Sequence, residues 1–178
     1  MLSLLKQLGL VKECELKFEV SREAFVTLLK QHLDRDRFNP FEVFSSSKHR
    51  YKGSLKENEF TIKRTRRLFD SKTSWIRARG SFNETDGNLI INLMVTGWNH
   101  YMTVAYAFIG LYGFFVGSAL LYLFNSYPLA NWLLFLLLAL THLALMLVAP
   151  ILFLRQAVNS LELLLSKDLA NLVRHGKF

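Results

Sequence analysis

The sequence predicts an α+β domain followed by a two-helix transmembrane hairpin and an amphipathic C-terminal helix. Two apolar runs near the C-terminal end, at 101–124 and 129–154, contain no Asp, Glu, Lys or Arg. Much of the chain before them alternates polar and apolar side chains with a period of two, which is typical of strands with one buried face. One helical stripe follows the first of these strands. The predicted order of the domain is therefore β-α-β-β-β-β, with an antiparallel sheet.

The first twelve residues predict a short amphipathic helix. Leu2, Leu5 and Leu8 recur at helical spacing. A signal peptide is a poor alternative, because Lys6 interrupts the apolar stretch and no small-residue cleavage site follows. We expect the segment 1–12 to rest on the domain or on a bilayer surface.

The α+β domain is predicted to cover residues 13–98 and to begin with a strand and a helix. The strand at 15–20 places Leu16, Phe18 and Val20 on one face. Ser21 is a suitable N-cap for a helix that runs to about His32. The inward stripe of that helix comprises Phe25, Leu28, Leu29 and Leu33.

Four further strands are expected after the helix, at about 42–54, 59–68, 74–82 and 88–97. Turn signals rich in Asn, Asp, Ser and Gly separate them, and the connections are short enough for hairpins. We therefore expect each strand to pair with the next in an antiparallel meander. A domain of this size can bury one modest core.

The hairpin is predicted at 99–154, because each apolar run exceeds the roughly 20 residues that cross a hydrocarbon core of about 30 Å. Only residues 125–128 connect the runs. The remaining residues, 155–178, repeat apolar side chains at helical period and predict an amphipathic helix. Three placements are open for this tail helix: packing on the domain, lying on the bilayer, or binding a partner.

Charge predicts the orientation of the hairpin. Residues 1–98 carry 18 Lys or Arg against 12 Asp or Glu, and residues 155–178 carry four against two, whereas the connecting loop is uncharged. Because Lys and Arg concentrate on the cytoplasmic side, both termini are expected to be cytoplasmic. The single cysteine, Cys14, fits a reducing compartment and excludes an intramolecular disulfide.

A resemblance supports this organisation. Tyr51-Lys52-Gly53, Phe60-x-Ile62-x-Arg64, Gly80 and Leu89-x-Ile91-x-Leu93, followed by an apolar hairpin, resemble a family of small uncharacterised bacterial membrane proteins. Those proteins carry a compact cytoplasmic β-rich domain ahead of two spans. The resemblance implies this fold, a bacterial source and location in the inner membrane. It implies no activity.

A basic sheet face is the first candidate functional feature. Lys48, Arg50 and Lys52 alternate along one predicted strand, and Arg77 and Arg79 do so along another. Such a face would be attracted to anionic lipid headgroups. A solvated face of mixed charge explains the same pattern equally well. Nucleic-acid binding is not expected, because no recognition motif accompanies the charge.

Polar and small residues within the apolar runs are the second candidate feature. His142 is an ionisable side chain inside the second run, and folding about the loop brings it level with Tyr112. An intramembrane polar site at His142 and Tyr112 is one interpretation, and a neutral, hydrogen-bonded histidine is the other. Gly110, Gly113 and Gly117 are expected at a close helix contact, either within the hairpin or between copies.

No catalytic, metal-binding or cofactor-binding motif occurs in the sequence, so we expect a protein that is not an enzyme and holds no cofactor. The first hypothesis is a bacterial inner-membrane protein whose cytoplasmic domain binds or scaffolds a partner. A membrane-tethered domain that binds a lipid or another small ligand is the alternative. A weaker alternative is a proton-linked transport element in an oligomer. The expected partners are membrane lipids, including anionic headgroups, together with another protein or further copies of the chain.

Overall fold

Four helices and six strands make up the part of the chain that the structure describes. The structure is a computed structural model that describes residues 2–36, 49–65, 76–85, 87–126 and 129–176. The helices are Leu2–Gln7 (α1), Arg22–His32 (α2), His100–Ser126 (α3) and Leu129–His175 (α4). The strands are Val11–Phe18 (β1), Leu33–Arg35 (β2), Tyr51–Leu55 (β3), Glu59–Arg64 (β4), Arg77–Thr85 (β5) and Asn88–Thr96 (β6). Two compact units result, one from Met1–Gly97 with Leu154–Phe178 and the other from Trp98–Phe153.

The six strands form one sheet in the order β1-β6-β5-β4-β3-β2. The predicted antiparallel meander is present from β3 to β6, and β1 pairs antiparallel with β6. β2 was not predicted, and it pairs parallel with β3. The sheet is therefore mixed rather than wholly antiparallel. Three residues directly after a helix are too few for a period of two to be visible in the sequence.

The start of the sheet differs from the expectation. β1 begins at Val11, inside the segment 1–12 that was predicted to be a helix, and α1 is confined to Leu2–Gln7. Gly9 has a φ of 70°, which ends the helix in a conformation that glycine adopts without strain. Within α1 only Leu5 is buried, whereas Leu2 remains exposed.

β4, β5 and β6 lie close to their predicted positions, whereas β3 begins only at Tyr51 and the predicted strand residues 49 and 50 are not in a strand. β4 ends at Arg64 rather than at residue 68, and β5 continues to Thr85. β5 and β6 remain paired up to Thr85 and Asn88, where Gly87 adopts a φ of 76° in the turn. The predicted strand residues 42–48, 66–68, 74 and 75 lie outside the described part of the chain.

The core lies between one face of the sheet and two helices. We call this the inner face and the opposite one the outer face. Ser21 accepts a hydrogen bond from the Ala24 amide and caps α2, which buries Phe25 and Leu29 against the sheet. The second cover is the C-terminal half of α4. Its buried apolar residues are Ala157, Val158, Leu161, Leu165, Leu169 and Leu172.

The tail is not a separate helix. α4 runs unbroken for 47 residues through Pro150 and into the segment that was predicted as an independent element. No glycine or other strong helix breaker follows Pro150 before the tail, so nothing in the sequence stops the helix there. Of the three placements open for the tail, the structure shows packing on the sheet.

The second unit contains α3 and the first part of α4. Asn99 accepts a hydrogen bond from the Met102 amide at the start of α3, as an N-cap does. Both helices are long and apolar enough to cross a membrane, over Met102–Tyr122 and within Leu133–His175. None of the residues in their most apolar windows is buried, so these windows differ from the C-terminal half of α4, which is part of the core.

Candidate binding surface

α2 and the tail of α4 pack on the inner face of the sheet, and most central positions of the outer face are polar or charged. Strand pairing places the outer-face side chains in rows across the sheet. One row contains Lys52, Lys63 and Arg77, on β3, β4 and β5. Arg79 lies in the next row, opposite Thr61. We call these four residues the basic cluster.

Asp36 partly neutralises the basic cluster. The Lys63 Nζ lies 2.6 Å from Asp36 Oδ1, and the Arg77 guanidinium lies 4.0 Å from the other carboxylate oxygen. The Asp36 amide donates to the Gly53 carbonyl, which holds the aspartate beside β3. Arg79 is exposed and makes no ion pair with any described residue. It is therefore the cation of the cluster that is most available to a partner.

A shallow groove of about 540 Å³ begins at Arg79 and crosses the sheet toward β1. Carboxylates line both ends of the groove, with Glu13 and Glu15 on β1 and Glu59 at the start of β4. The lining side chains on the outer face are Glu13, Glu15, Glu59, Arg79, Ser81, Asn92 and Met94. The outer face thus has the basic cluster on β3 to β5 and an acidic part that comprises Glu13 and Glu15 on β1, and a further carboxylate, Glu59, lies on β4 beside Ser81.

Two residues of the predicted basic face, Lys48 and Arg50, are not part of the basic cluster. Lys48 is not among the described residues. Arg50 does not share the face of Lys52, because β3 begins only at Tyr51 and the alternation does not extend back to residue 50. Its guanidinium lies 3.2 Å from Asp168 Oδ2 on α4. Lys52, Arg77 and Arg79 do lie on one face.

Asp168 is the centre of a buried polar contact on the inner face. Its side chain is almost fully buried, and the Tyr51 hydroxyl donates a 2.7 Å hydrogen bond to Oδ2. Burial, together with the hydrogen bond and the negative charge of Asp168, raises the pKa of Tyr51 far above its ordinary value. The contact joins β3 to α4 across the core and has no exposed reactive atom, so its role is structural.

Cys14 lies on the inner face of β1 at the border with α4. Burial raises the pKa of its thiol, and Glu162 acts in the same direction, while a hydrogen bond to Ser166 opposes them. A thiol with a raised pKa is a poor nucleophile. Among the residues that the structure describes, no three His, Cys, Asp or Glu side chains form a group that could hold a metal ion.

The hairpin brings together the two polar residues singled out in the apolar runs. The rings of Tyr112 and His142 meet edge to face, with centroids 5.7 Å apart. Gly113 lies against Leu143 of α4. A Cβ at Gly110 or Gly117 would meet nothing within 4 Å, so these two glycines are not at the contact within the hairpin.

Sequence reasoning missed the acidic part of the outer face and the role of Asp36. Glu13 and Glu15 alternate with Cys14 and Leu16, so the signal was present in the parity of β1. The relation of these residues to Arg79 depends on the pairing of β1 with β6, which is not local in sequence.

No known protein family, curated protein or solved structure matches the chain.

Proposed function

We propose that the chain is a non-enzymatic, membrane-anchored binding protein of the bacterial inner membrane, whose cytoplasmic domain docks a partner protein on the outer face of its sheet. The observation that carries this proposal is a polar sheet face with a groove that is lined by both acidic and basic side chains. Its opposite face is occupied by the domain's own core. The side chains of the outer face thus contribute little to that core.

The membrane anchor is supported by the long apolar helices α3 and α4 and by the composition of the first unit. That unit contains both the residues before the helices and the residues after them. Because both flanks form one folded core, they must lie on the same side of any bilayer that the two helices cross. Both flanks are net positive, which favours the cytoplasmic side.

The pattern of charge favours a protein partner over an anionic bilayer. A flat contact with anionic headgroups would attract the basic cluster and repel Glu13, Glu15 and Glu59 on the same face. A folded protein can instead present both signs of charge in the complementary arrangement. Anionic lipid is therefore the second candidate for the basic cluster.

The alternative of an internal lipid or ligand site has less support. Residues from both covering helices and from the sheet have no exposed surface in the core, including Phe25, Leu161 and Ile91. One described groove lies on the outer face. The two others lie where α2 meets the sheet, and the first of these is lined mostly by charged side chains. Small ligands usually need a concave site that buries most of their surface.

The transport alternative is supported only by the contact between Tyr112 and His142. The two apolar runs contain no carboxylate that could continue a proton pathway. His142→Leu is expected to leave the oligomeric state, stability and growth of the producing cells unchanged between pH 6 and 8. A pH-dependent change in proton uptake by reconstituted vesicles would instead favour this alternative.

Site-specific photocrosslinking tests the proposed docking surface. A photoreactive residue is placed at Ser81, in the groove, and at Thr27, which is exposed on α2. In cells that produce the full chain, Ser81 is expected to yield a discrete crosslinked species that Thr27 does not yield. Adding Arg79→Glu should remove that species, because it reverses the charge of the cluster residue that makes no ion pair with a described residue.

The same experiment distinguishes protein docking at the outer face from lipid binding there. A species that persists with Arg79→Glu, or one that forms equally from Thr27, contradicts docking at the outer face. Lipid crosslinks at Ser81, in place of protein crosslinks, would support headgroup binding by the basic cluster.

A further inference from the structure

The edge strand β1 is long and regular. Its eight residues pair with β6 in an unbroken register without a bulge, and it contains no proline. No described strand pairs with its other side. Native edges are commonly protected by bulges, proline or short length, and β1 has none of these. Its charged side chains, Glu13, Glu15 and Lys17, are the protective feature that the strand itself carries.

The backbone of β1 shows which residues offer free hydrogen-bonding groups. The Leu10 carbonyl accepts a 2.8 Å hydrogen bond from the Gly97 amide, so it points toward β6. Because carbonyl direction alternates along a strand, the backbone amides and carbonyls of the even-numbered residues of β1 point toward β6. The odd-numbered residues Glu13, Glu15 and Lys17 therefore direct their amides and carbonyls outward, away from the sheet.

We infer that β1 pairs antiparallel with β1 of a second copy of the chain, with Leu16 opposite Leu16. In this register Glu15 lies opposite Lys17 of the second copy, and Lys17 lies opposite its Glu15. The interface is isologous, so each contact occurs twice. On the inner face Cys14 lies opposite Phe18 of the second copy. The two sheets then form one continuous sheet across the interface.

Other registers are less favourable because of charge. If the inner faces of both copies lie on the same side of the joined sheet, the register can shift only in steps of two residues. A strand pair centred on Glu15 or on Lys17 would place that residue opposite the same residue of the second copy. A pair centred on Cys14 would place Glu13 opposite Glu15 of the second copy. Like charges directly opposite destabilise a strand pair. The Leu16 register avoids such pairs within β1.

The charges and apolar side chains of β1 suit this register. Glu15 and Lys17 already form a 3.3 Å ion pair within the strand, so each can exchange that partner for its counterpart in the second copy. Glu13 lies opposite Glu19, which is beyond the end of β1, and Lys6 holds Glu13 in a 2.7 Å ion pair. Leu16 and Phe18 are only partly buried in one copy and gain cover from the second.

Disulfide crosslinking of the full chain in its membranes tests the register. Residue 16 would form a pair without hydrogen bonds at the new interface, where opposite Cβ atoms are close enough for a disulfide. Cys14→Ala with Leu16→Cys is expected to give a crosslinked dimer under mild oxidation. The matched control is Cys14→Ala with Ser54→Cys, since Ser54 is exposed on β3. Equal crosslinking in both variants overturns the inference.

Charge reversal provides a second test that does not depend on cysteine. Lys17→Glu converts both Glu–Lys pairs into Glu–Glu pairs and should weaken dimerisation about tenfold or more. Glu15→Lys combined with Lys17→Glu restores opposite charges and should restore the dimer. The measurement is energy transfer between labelled full chains as the protein is diluted in detergent. No recovery in the double variant, or no loss in Lys17→Glu, contradicts pairing through β1.

Discussion

The hydrogen bond from Tyr51 to Asp168 joins residues 117 positions apart and holds β3 to α4. A buried carboxylate is costly unless it is paired, and Tyr51 and Arg50 supply its partners here. Sequence reasoning placed Tyr51 correctly on the face opposite Lys52, because alternation along a strand is local. It could not find Asp168 as a partner, because that contact depends on where the tail helix packs.

Tyr51→Phe removes one hydrogen bond to a charged, buried acceptor. We expect the free energy of unfolding of the full chain to fall by about 1–3 kcal/mol, as measured by urea titration in detergent. Ser54→Ala is the control, because it also removes a hydroxyl from β3 but at an exposed position. Equal stability of Tyr51→Phe and the control would show that the contact contributes nothing.

The same substitution predicts a pH dependence. A tyrosine whose pKa is raised by folding stabilises the protein fully below its unfolded pKa, near 10, and this contribution decreases as the pH rises further. The difference in unfolding free energy between the natural chain and Tyr51→Phe should therefore be constant below about pH 10 and shrink above it. Urea titrations from pH 8 to 11 measure this. A difference that stays constant to pH 11 contradicts the raised pKa.

At the scale of elements, the tail of α4 and the central strands form the core together. The sequence predicted the apolar stripe of the tail and the meander of the sheet, because both follow from local periodicity. It did not predict that the tail continues the second apolar run as one helix, because the change at Arg155 from a continuous apolar run to an amphipathic stripe was interpreted as a boundary between two elements. β2 was missed for the related reason that its pairing with β3 is a tertiary contact.

Leu165→Ala tests the role of the tail helix in the core. Leu165 is fully buried, so its truncation is expected to cost about 2–5 kcal/mol of unfolding free energy. Leu163, two residues earlier, is 72% exposed and provides a matched control in the same helix. We expect Leu163→Ala to change stability by less than about 1 kcal/mol. Equal losses in urea titration would mean that the tail does not pack on the sheet.

Close packing of Phe60 over Gly80 offers a second test at this scale. A Cβ at residue 80 would overlap the Phe60 ring. Gly80→Ala is therefore expected to destabilise the chain by about 1–3 kcal/mol through overpacking. Because leucine is shorter than phenylalanine, adding Phe60→Leu should make the double variant more stable than the sum of the two single losses predicts. Strictly additive losses in urea titration would contradict this contact.

At the scale of the whole molecule, the two compact units of the structure differ from the domains that the sequence predicts. Sequence reasoning separated the residues before the hairpin from the tail that follows it, whereas the structure unites them in one unit. This union supplies a constraint on topology that charge alone does not. If α3 and α4 cross a bilayer, the segments before and after them must remain on one side of it, and the end of α3 at Ser126 must lie on the other.

Cysteine accessibility in intact cells measures this topology and tests the proposed anchoring of the binding domain most directly. In a Cys14→Ala background, single cysteines replace Ser54 before the hairpin, Ser126 at the end of α3 and Ser160 after the hairpin. A membrane-impermeant maleimide should label position 126 in intact spheroplasts, and positions 54 and 160 only after permeabilisation. Labelling of position 54 or 160 in intact spheroplasts, or protection of all three positions, would contradict a cytoplasmic domain anchored by a membrane-crossing hairpin.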